Sequence, residues 1–322
     1  MQGFDPKFVD LPDYILKITK EIWEDRGLAT LNDYYGDDLP MRFASGIVHG
    51  KNAVITGTMA TLAEFPDRQL LGEDVIWSGN DQDGYLSSHR LVTMGTHTGH
   101  GFFGKPTGKR FTARAIADCF CINNQITDEW LIRDSSAILL DLGKDPKKFA
   151  RKLIAREGGP ENCTRPFTPQ IDRTGPYKGR GNDNERGAQL ADMLQKIMAA
   201  DFAHIPKAYD RAVEVNHPGK RGGWGWPAAD AAWLQLRSAF PSATFSIDHQ
   251  IGREDSGQPP RAAIRWSLNG RHDGYGTFGK PSGAPVHIMG FTHAEWGPYG
   301  LKREFTLFDD VSIWKQIHLH AG

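Results

Sequence analysis

The chain has 322 residues, 39% of them hydrophobic and including 17 Phe, 9 Trp and 8 Tyr, which is material for about two domains of roughly 150 residues. A formal charge of −1 offers no basic surplus to neutralise phosphates, so neither nucleic acid nor an anionic membrane surface is an expected partner. The opening MQGFDPKFVDLPDYI shows no secretory pattern, and no apolar stretch is long enough to span a bilayer.

In chain order, Ile15, Ile18, Ile22 and Trp23, then Leu28, Leu31, Tyr34 and Tyr35, recur at helical spacing, with Gly27 dividing two helices. Met41-Arg42-Phe43 reads as a short strand. A third helix is expected from Gly50 to Glu64, ended by Phe65-Pro66 because the residue before proline disfavours the helical conformation. Long strands follow over Gln69–Trp77 and Tyr85–His97, joined across Asn80-Asp81-Gln82-Asp83-Gly84. Two more, Phe111–Ile122 and Ile126–Ile138, join at Asn123-Asn124. Cys119 and Cys121 share one strand face and make a poor disulfide, so a reducing, cytoplasmic setting is expected. Residues 145–156 read as a helix, and 157–184, rich in Gly, Pro, Arg and Asn without periodicity, as a linker. Helices over Ala188–Ala200, Ile205–Val213 and Ala228–Phe240 then precede a meander from Ala243 to Lys315.

The second half repeats the first. Gly95 to Gly108, reading GTHTGHGFFGKPTG, returns as GRHDGYGTFGKPSG from Gly270 to Gly283, an offset of 175 residues. The same offset carries Gly50 onto Gly225, Phe65-Pro66 onto Phe240-Pro241, Arg90 onto Arg265, Glu129 onto Glu304 and Asp134 onto Asp309. Tyr34 falls on Tyr209 in this register. The expected organisation is a domain at 1–143, a helix and linker at 144–184, and a duplicated domain at 185–322. Each is expected to be α+β, three helices packed on a curved antiparallel sheet.

Gly95-Thr96-His97-Thr98-Gly99, Lys105-Pro106-Thr107-Gly108, and Ile126-Thr127-Asp128-Glu129-Trp130 with Asp134 resemble the SnoaL-like polyketide (ester) cyclase pattern, on the cone of the nuclear-transport-factor-2-like fold. The resemblance implies an intramolecular aldol reaction without metal or organic cofactor, with an aspartate on the strand after the glycine loop as acid/base. By position that aspartate is Asp118. The chain departs from the pattern at Lys105 and Cys121, and the second copy carries His293 in place of Asp118.

The residues offer their own readings. Period two puts Arg114, Ile116, Asp118 and Phe120 on one strand face; if that face lines the cone, burial raises the Asp118 pKa and Arg114 lowers it. Otherwise Arg114 and Asp118 form an outward ion pair. His97, repeated as His272, either polarises a carbonyl or ties down the glycine loop. Arg90 either stabilises a developing oxyanion or pairs with Glu129, the more economical choice because both are duplicated. The candidate catalytic set is therefore Asp118, His97 and Arg90. The candidate substrate-binding set is Tyr34, Trp77, His100, Phe102, Arg114, Trp130, His272 and His293, with no metal. Gly99 to Gly104 has the letters of a phosphate loop but has strand on both sides, so a nucleotide site is rejected.

These observations lead to cofactor-independent aldol, retro-aldol, lyase or isomerase chemistry on an aromatic or polyketide-like carbonyl compound. Two rivals remain open: a non-catalytic binding protein for small hydrophobic molecules, and a second copy that serves only as an internal pseudo-dimer partner, with or without further homo-oligomerisation.

Overall fold

The structure, a computed structural model, describes residues 1–321 and divides into two compact units. The first comprises Met1–Asp145 with Phe167–Gly179, and the second Pro146–Pro166 with the chain from Arg180 onward.

In the first unit the elements run α1 (Leu11–Trp23), α2 (Leu31–Tyr34), β1 (Pro40–Phe43), β2 (Gly46–His49), α3 (Lys51–Glu64), β3 (Gln69–Asn80), β4 (Gly84–Thr96), β5 (Arg110–Ile122), β6 (Gln125–Arg133) and α4 (Ser135–Asp141). Asp10 caps α1 through the Asp13 backbone N–H, and the helix buries Leu11, Tyr14, Ile15, Ile18 and Ile22, one face of a 3.6-residue repeat. The strands form one six-stranded sheet in the order β2-β1-β6-β5-β4-β3. Every pairing is antiparallel except β1 with β6, so the expected antiparallel sheet is mixed by one parallel pair.

The second unit follows the same plan. After α5 (Pro146–Arg156) come α6 (Glu185–Met198), α7 (Ile205–Ala208), β7 (Tyr209–His217), β8 (Arg221–Trp224), α8 (Trp226–Ala239), β9 (Thr244–Arg253), β10 (Arg261–Arg271), β11 (Pro285–Gly297), β12 (Gly300–Phe308) and α9 (Asp310–Ala321). Its sheet order, β8-β7-β12-β11-β10-β9, is that of the first unit. The irregularities repeat as well. Glu73 is the extra residue of a bulge between β3 and β4, and Asp248, 175 residues on, is the extra residue between β9 and β10. Thr127 and Lys302 do the same between the last two strands of each sheet. Bulges re-aim side chains, so their repetition marks a duplicated structure as well as a duplicated sequence.

Three expected elements differ. The strand expected to reach Ile138 stops at Arg133, because Asp134 accepts the Ala137 N–H and starts α4. Asp309 starts α9 in the same way, accepting from Val311, so the second meander ends at Phe308. The helix expected over Ile205–Val213 is one turn long and gives way to β7, whose Val213 and Val215 point into the core. Within the expected linker, residues 167–179 lie against the first sheet: the Phe167 N–H donates to the Ala44 carbonyl and Tyr177 rests on Phe120, ring centroids 4.9 Å apart.

Glycines set the path of the loop between β4 and β5. A Cβ on Gly99 would lie 1.9 Å from the Ala63 carbonyl oxygen, and one on Gly274 would lie 1.9 Å from that of Ser238. The loop can therefore rest on the end of the third helix only where side chains are missing.

Candidate active site

The first unit contains a partly open cavity of about 170 Å³. Its walls are apolar: Ile15, Ile18, Ile22 and Trp23 from α1, Val54 and Gly57 from α3, Met41 and Phe43 from β1, and Leu91, Ala115, Ala117 and Leu131 from the sheet. Into this apolar space project Glu129 and Arg133 of β6, His89 of β4, Cys119 of β5, Thr58 of α3, Tyr35 at the end of α2, and Arg68 in the turn before β3.

Glu129 is the only carboxyl among the lining residues. It is 3% exposed, and its Oε2 has no hydrogen-bond partner. Burial pushes its pKa up to about 8, which the Arg133 charge and a hydrogen bond from Tyr35 offset only in part. Burial holds His89 down to about 4, so the imidazole is neutral; its Nδ1 lies 3.2 Å from Ser87 Oγ. Burial, with repulsion from Arg133, lowers Arg68 to about 9. Arg68 donates through Nε to Thr93 Oγ1 at 2.9 Å, and its guanidinium lies 5.1 Å from the Trp23 ring centre.

In the second unit the same strand position carries Glu304, 0% exposed and fully engaged. Its Oε1 is 2.8 Å from His217 Nε2 and accepts from Thr306 Oγ1 at 2.9 Å; its Oε2 accepts from Trp233 Nε1 at 3.1 Å and from the Tyr209 hydroxyl. Burial alone would raise this carboxyl, but the hydrogen bonds from His217, Tyr209 and Trp233 outweigh it and hold the pKa below its ordinary value. Trp233 and Trp266 stand at the positions of Thr58 and Leu91, and both are fully buried. Trp266 fits because Gly290 faces it across the strands: a Cβ there would lie 2.2 Å from the indole Cζ2. In the first unit Ala115 faces Leu91 in the matching register. Side chains therefore occupy in the second cone the space that the first leaves open.

None of the eleven residues nominated from sequence lines the cavity. On β5 the cavity face carries Ala115, Ala117 and Cys119, so strand alternation turns Asp118 to the opposite face, buried across from Ser88 and Trp130. This corrects the placement of Asp118 as the acid of the cone. Arg90 and Arg114 share its face and converge on Glu73, the bulge residue: Arg90 Nε and Arg114 Nε each lie 2.9 Å from Oε2, and Arg114 Nη2 lies 3.0 Å from Oε1. The expected Arg90–Glu129 pair is thus replaced, since those side chains leave the sheet on opposite faces. Trp130 also points away from the cavity, under the Arg42 guanidinium at 4.3 Å. Tyr34 packs on Phe8 and Tyr14 and bonds Lys7 and Glu21, leaving the cavity to its neighbour Tyr35. Trp77 packs on Tyr85, His100 is exposed, and Phe102 is 42% exposed at the loop tip.

The two loop histidines hold their loops. His97 donates its N–H to the Lys109 carbonyl, accepts from Thr107 and Gly108, and sets Nδ1 3.2 Å from Thr107 Oγ1. His272 repeats this with Ala284, Ser282 and Gly283, its Nδ1 3.0 Å from Ser282 Oγ. Burial lowers both pKa values, so the 3.2 Å approach of His97 Nε2 to Glu64 is not an ion pair at neutral pH. Glu64 instead accepts the Phe102 and Phe103 backbone N–H groups. His293, at the position of Asp118, is buried on the matching strand face.

Sequence reasoning reached Glu129 but gave it a structural task. The duplicated glutamate was the available signal; the bulge at Thr127, which turns both Ile126 and Glu129 inward, was not legible. Tyr35 was displaced by a one-residue slip. Tyr209 bridges Leu301 as Tyr35 bridges Ile126, an offset of 174 at the tyrosines and 175 at their partners.

Among the described residues no helix is long and apolar enough to cross a membrane. No family model matches the chain, and no curated protein matches it. Solved structures do. IdmH, a candidate polyketide cyclase from Streptomyces antibioticus, is 23% identical, with a TM-score of 0.36 over 41% of this chain and 97% of its own. A candidate SnoaL-like polyketide cyclase from a Jannaschia species is 12% identical, with a TM-score of 0.36 over 42% and 96%. A SnoaL-like polyketide cyclase from Agrobacterium tumefaciens is 17% identical, with a TM-score of 0.32 over 40% and 94%. This chain is a tandem α+β protein of two duplicated cones, and the solved structures matching about two-fifths of it include SnoaL-like polyketide cyclases.

Proposed function

We propose that the first cone is a cofactor-independent acid/base site that enolises a small carbonyl compound, with Glu129 as the general acid/base. The observation that supports this is Glu129 itself: a single carboxyl in an apolar cavity, with a free oxygen and a proton affinity raised toward neutrality. In its ionised form Oε2 would take a proton from the carbon next to the carbonyl. The electron pair moves onto the carbonyl oxygen, and the enolate faces the charge of Arg133 or Arg68. Attack on a second carbonyl of the same molecule, with the Glu129 proton returned to the new alkoxide, gives an aldol product; return of the proton to another carbon gives an isomer.

The second cone is read as a non-catalytic copy. Glu304 has hydrogen-bond partners on both oxygens, and Trp233 and Trp266 stand where substrate would have to sit. The test is exchange of α-protons of small ketones and keto acids with deuterium in heavy water, followed by proton resonance. The wild-type protein should accelerate exchange, Glu129→Gln should abolish the acceleration, and Glu304→Gln in folded protein should retain it. A protein that binds these compounds without accelerating exchange would be a binding module.

A further inference from the structure

Two guanidiniums enter a cavity that contains one carboxyl. Arg68 is 4% exposed. Its one side-chain hydrogen bond among the described residues is to the neutral Thr93 hydroxyl, so most of its five donors have no protein acceptor. Arg133 lies beside the Phe43 ring, its guanidinium 5.4 Å from the centre, and no carboxylate pairs with it among the described residues. The nearby acid that acts on Arg68 is Glu64, but the Glu64 oxygens are taken by the Phe102 and Phe103 N–H groups at 2.9 and 2.7 Å. Arg133 is half-buried, whereas a charge as deeply buried as that of Arg68 normally carries a partner. Glu129, the one candidate within the cavity, is largely protonated at neutral pH, so the charge on the cavity wall is positive.

Size restricts the ligand further. An engineered apolar cavity of about 150 Å³ holds one benzene, so the 170 Å³ here has room for about one ring, with any short substituent reaching the cavity's polar groups or its mouth.

We infer that the first cone binds small carbonyl compounds bearing a carboxylate, one ring or a short chain in size, the carboxylate held by Arg68 and Arg133 and the enolisable carbon facing Glu129. Binding of the anion supplies the charge that both arginines lack, and a guanidinium matches a carboxylate with two parallel N–H···O bonds. The hydrocarbon remainder fills the wall of α1 and β1. This deepens the reading of the cone as an enolising site and rests on it for the role of Glu129, but not for the choice of ligand.

The test compares phenylpyruvate with phenylacetone, which replaces the carboxylate by a methyl group, using calorimetry and ligand-induced melting shifts on the full chain. Phenylpyruvate should bind at least about tenfold more tightly, one charge-assisted pair being of the order of 1.4 kcal/mol or more. Arg68→Met and Arg133→Met should each erase that preference while leaving the fold intact, and Arg133→Lys should restore part of it. Equal or tighter binding of phenylacetone, unchanged phenylpyruvate affinity in both methionine variants, or binding of neither compound would overturn the inference. Glu129→Gln separates the two ideas. If it binds phenylpyruvate like the wild type and neither protein accelerates deuterium exchange, the anion site stands and the enolising role fails. If neutral ketones are bound and exchanged while acids are not, the enolising role stands and the anion site fails.

Discussion

Glu129 and Glu304 occupy one position in two copies of the same strand, and their carboxyl groups are shifted in opposite directions, up to about 8 in the first and below the ordinary value in the second. Burial is nearly equal, at 3% and 0% exposure. The difference is the hydrogen-bond count on the carboxylate, which decides whether a buried acid keeps its proton.

Neutralising these two residues should therefore separate function from stability. Glu129→Gln is expected to reduce α-proton exchange by about 10²–10⁴-fold, the usual contribution of a positioned acid/base, with no loss of melting temperature at neutral pH. Glu304→Gln deprives His217, Tyr209, Trp233 and Thr306 of an ionised acceptor and is expected to cost about 2–4 kcal/mol. Denaturant unfolding and exchange assays on both variants check this; a Glu129→Gln protein that keeps its rate would remove the residue from the mechanism.

The pH dependence has a defined sign. A base must be ionised, so exchange should rise with pH and level off near the Glu129 value of about 8. Stability should move the other way. The folded pKa lies above the unfolded one, so the native state holds the extra proton and the stabilisation is lost as pH climbs toward about 8. His89 and His287, both lowered to about 4, act oppositely, favouring the fold as pH rises from about 4 to 6.5. Between pH 6.5 and 8 the Glu129 effect stands apart, with a slope of up to about 1.4 kcal/mol per pH unit. Of the other groups in the cavity, Tyr35 and Cys119 are pushed well above their ordinary values, Arg68 is lowered only to about 9 and Arg133 is lowered by burial. Unfolding midpoints at pH 6.5 and 8 should differ in the wild type and converge in Glu129→Gln.

The first cone can be closed with the second cone's own parts. Leu91→Trp together with Ala115→Gly copies the Trp266–Gly290 pair. The double variant should fold and lose small-ligand binding by calorimetry. Leu91→Trp alone should lose about 1–3 kcal/mol of stability, because the indole meets the Ala115 methyl.

Asp118→Asn should leave exchange within about threefold of wild type, as expected for a group on the face away from the cavity. Arg42→Met addresses the segment at 167–179. Arg42 Nη1 and Nε lie 2.5 Å from Asp128 and Asp172, and Nη2 lies 2.5 Å from the Arg173 carbonyl oxygen. Its loss removes the counter-charge of buried Asp128, which keeps the Tyr177 N–H, and should cost about 3–5 kcal/mol. Limited proteolysis should then cut between residues 167 and 179 before cutting elsewhere in the unit.

The duplication, the three helices and the long strands of each half were legible because they rest on local pattern: periodicity, glycine spacing and a 175-residue register. The site was less so. Period two correctly grouped Arg114, Ile116, Asp118 and Phe120 on one face, but local pattern does not say which face a sheet turns inward when both faces are buried, as Asp118 at 1% and Ala117 at 2% illustrate. The choice is made by packing of α1 and α3 against one side of the sheet. Likewise, Glu129 and Glu304 are the same letter at the same register, and sequence alone assigns them one role. Tertiary structure decides between them through Trp233, Trp266 and His217, residues far along the chain that fill one cone and satisfy its acid while the other remains open.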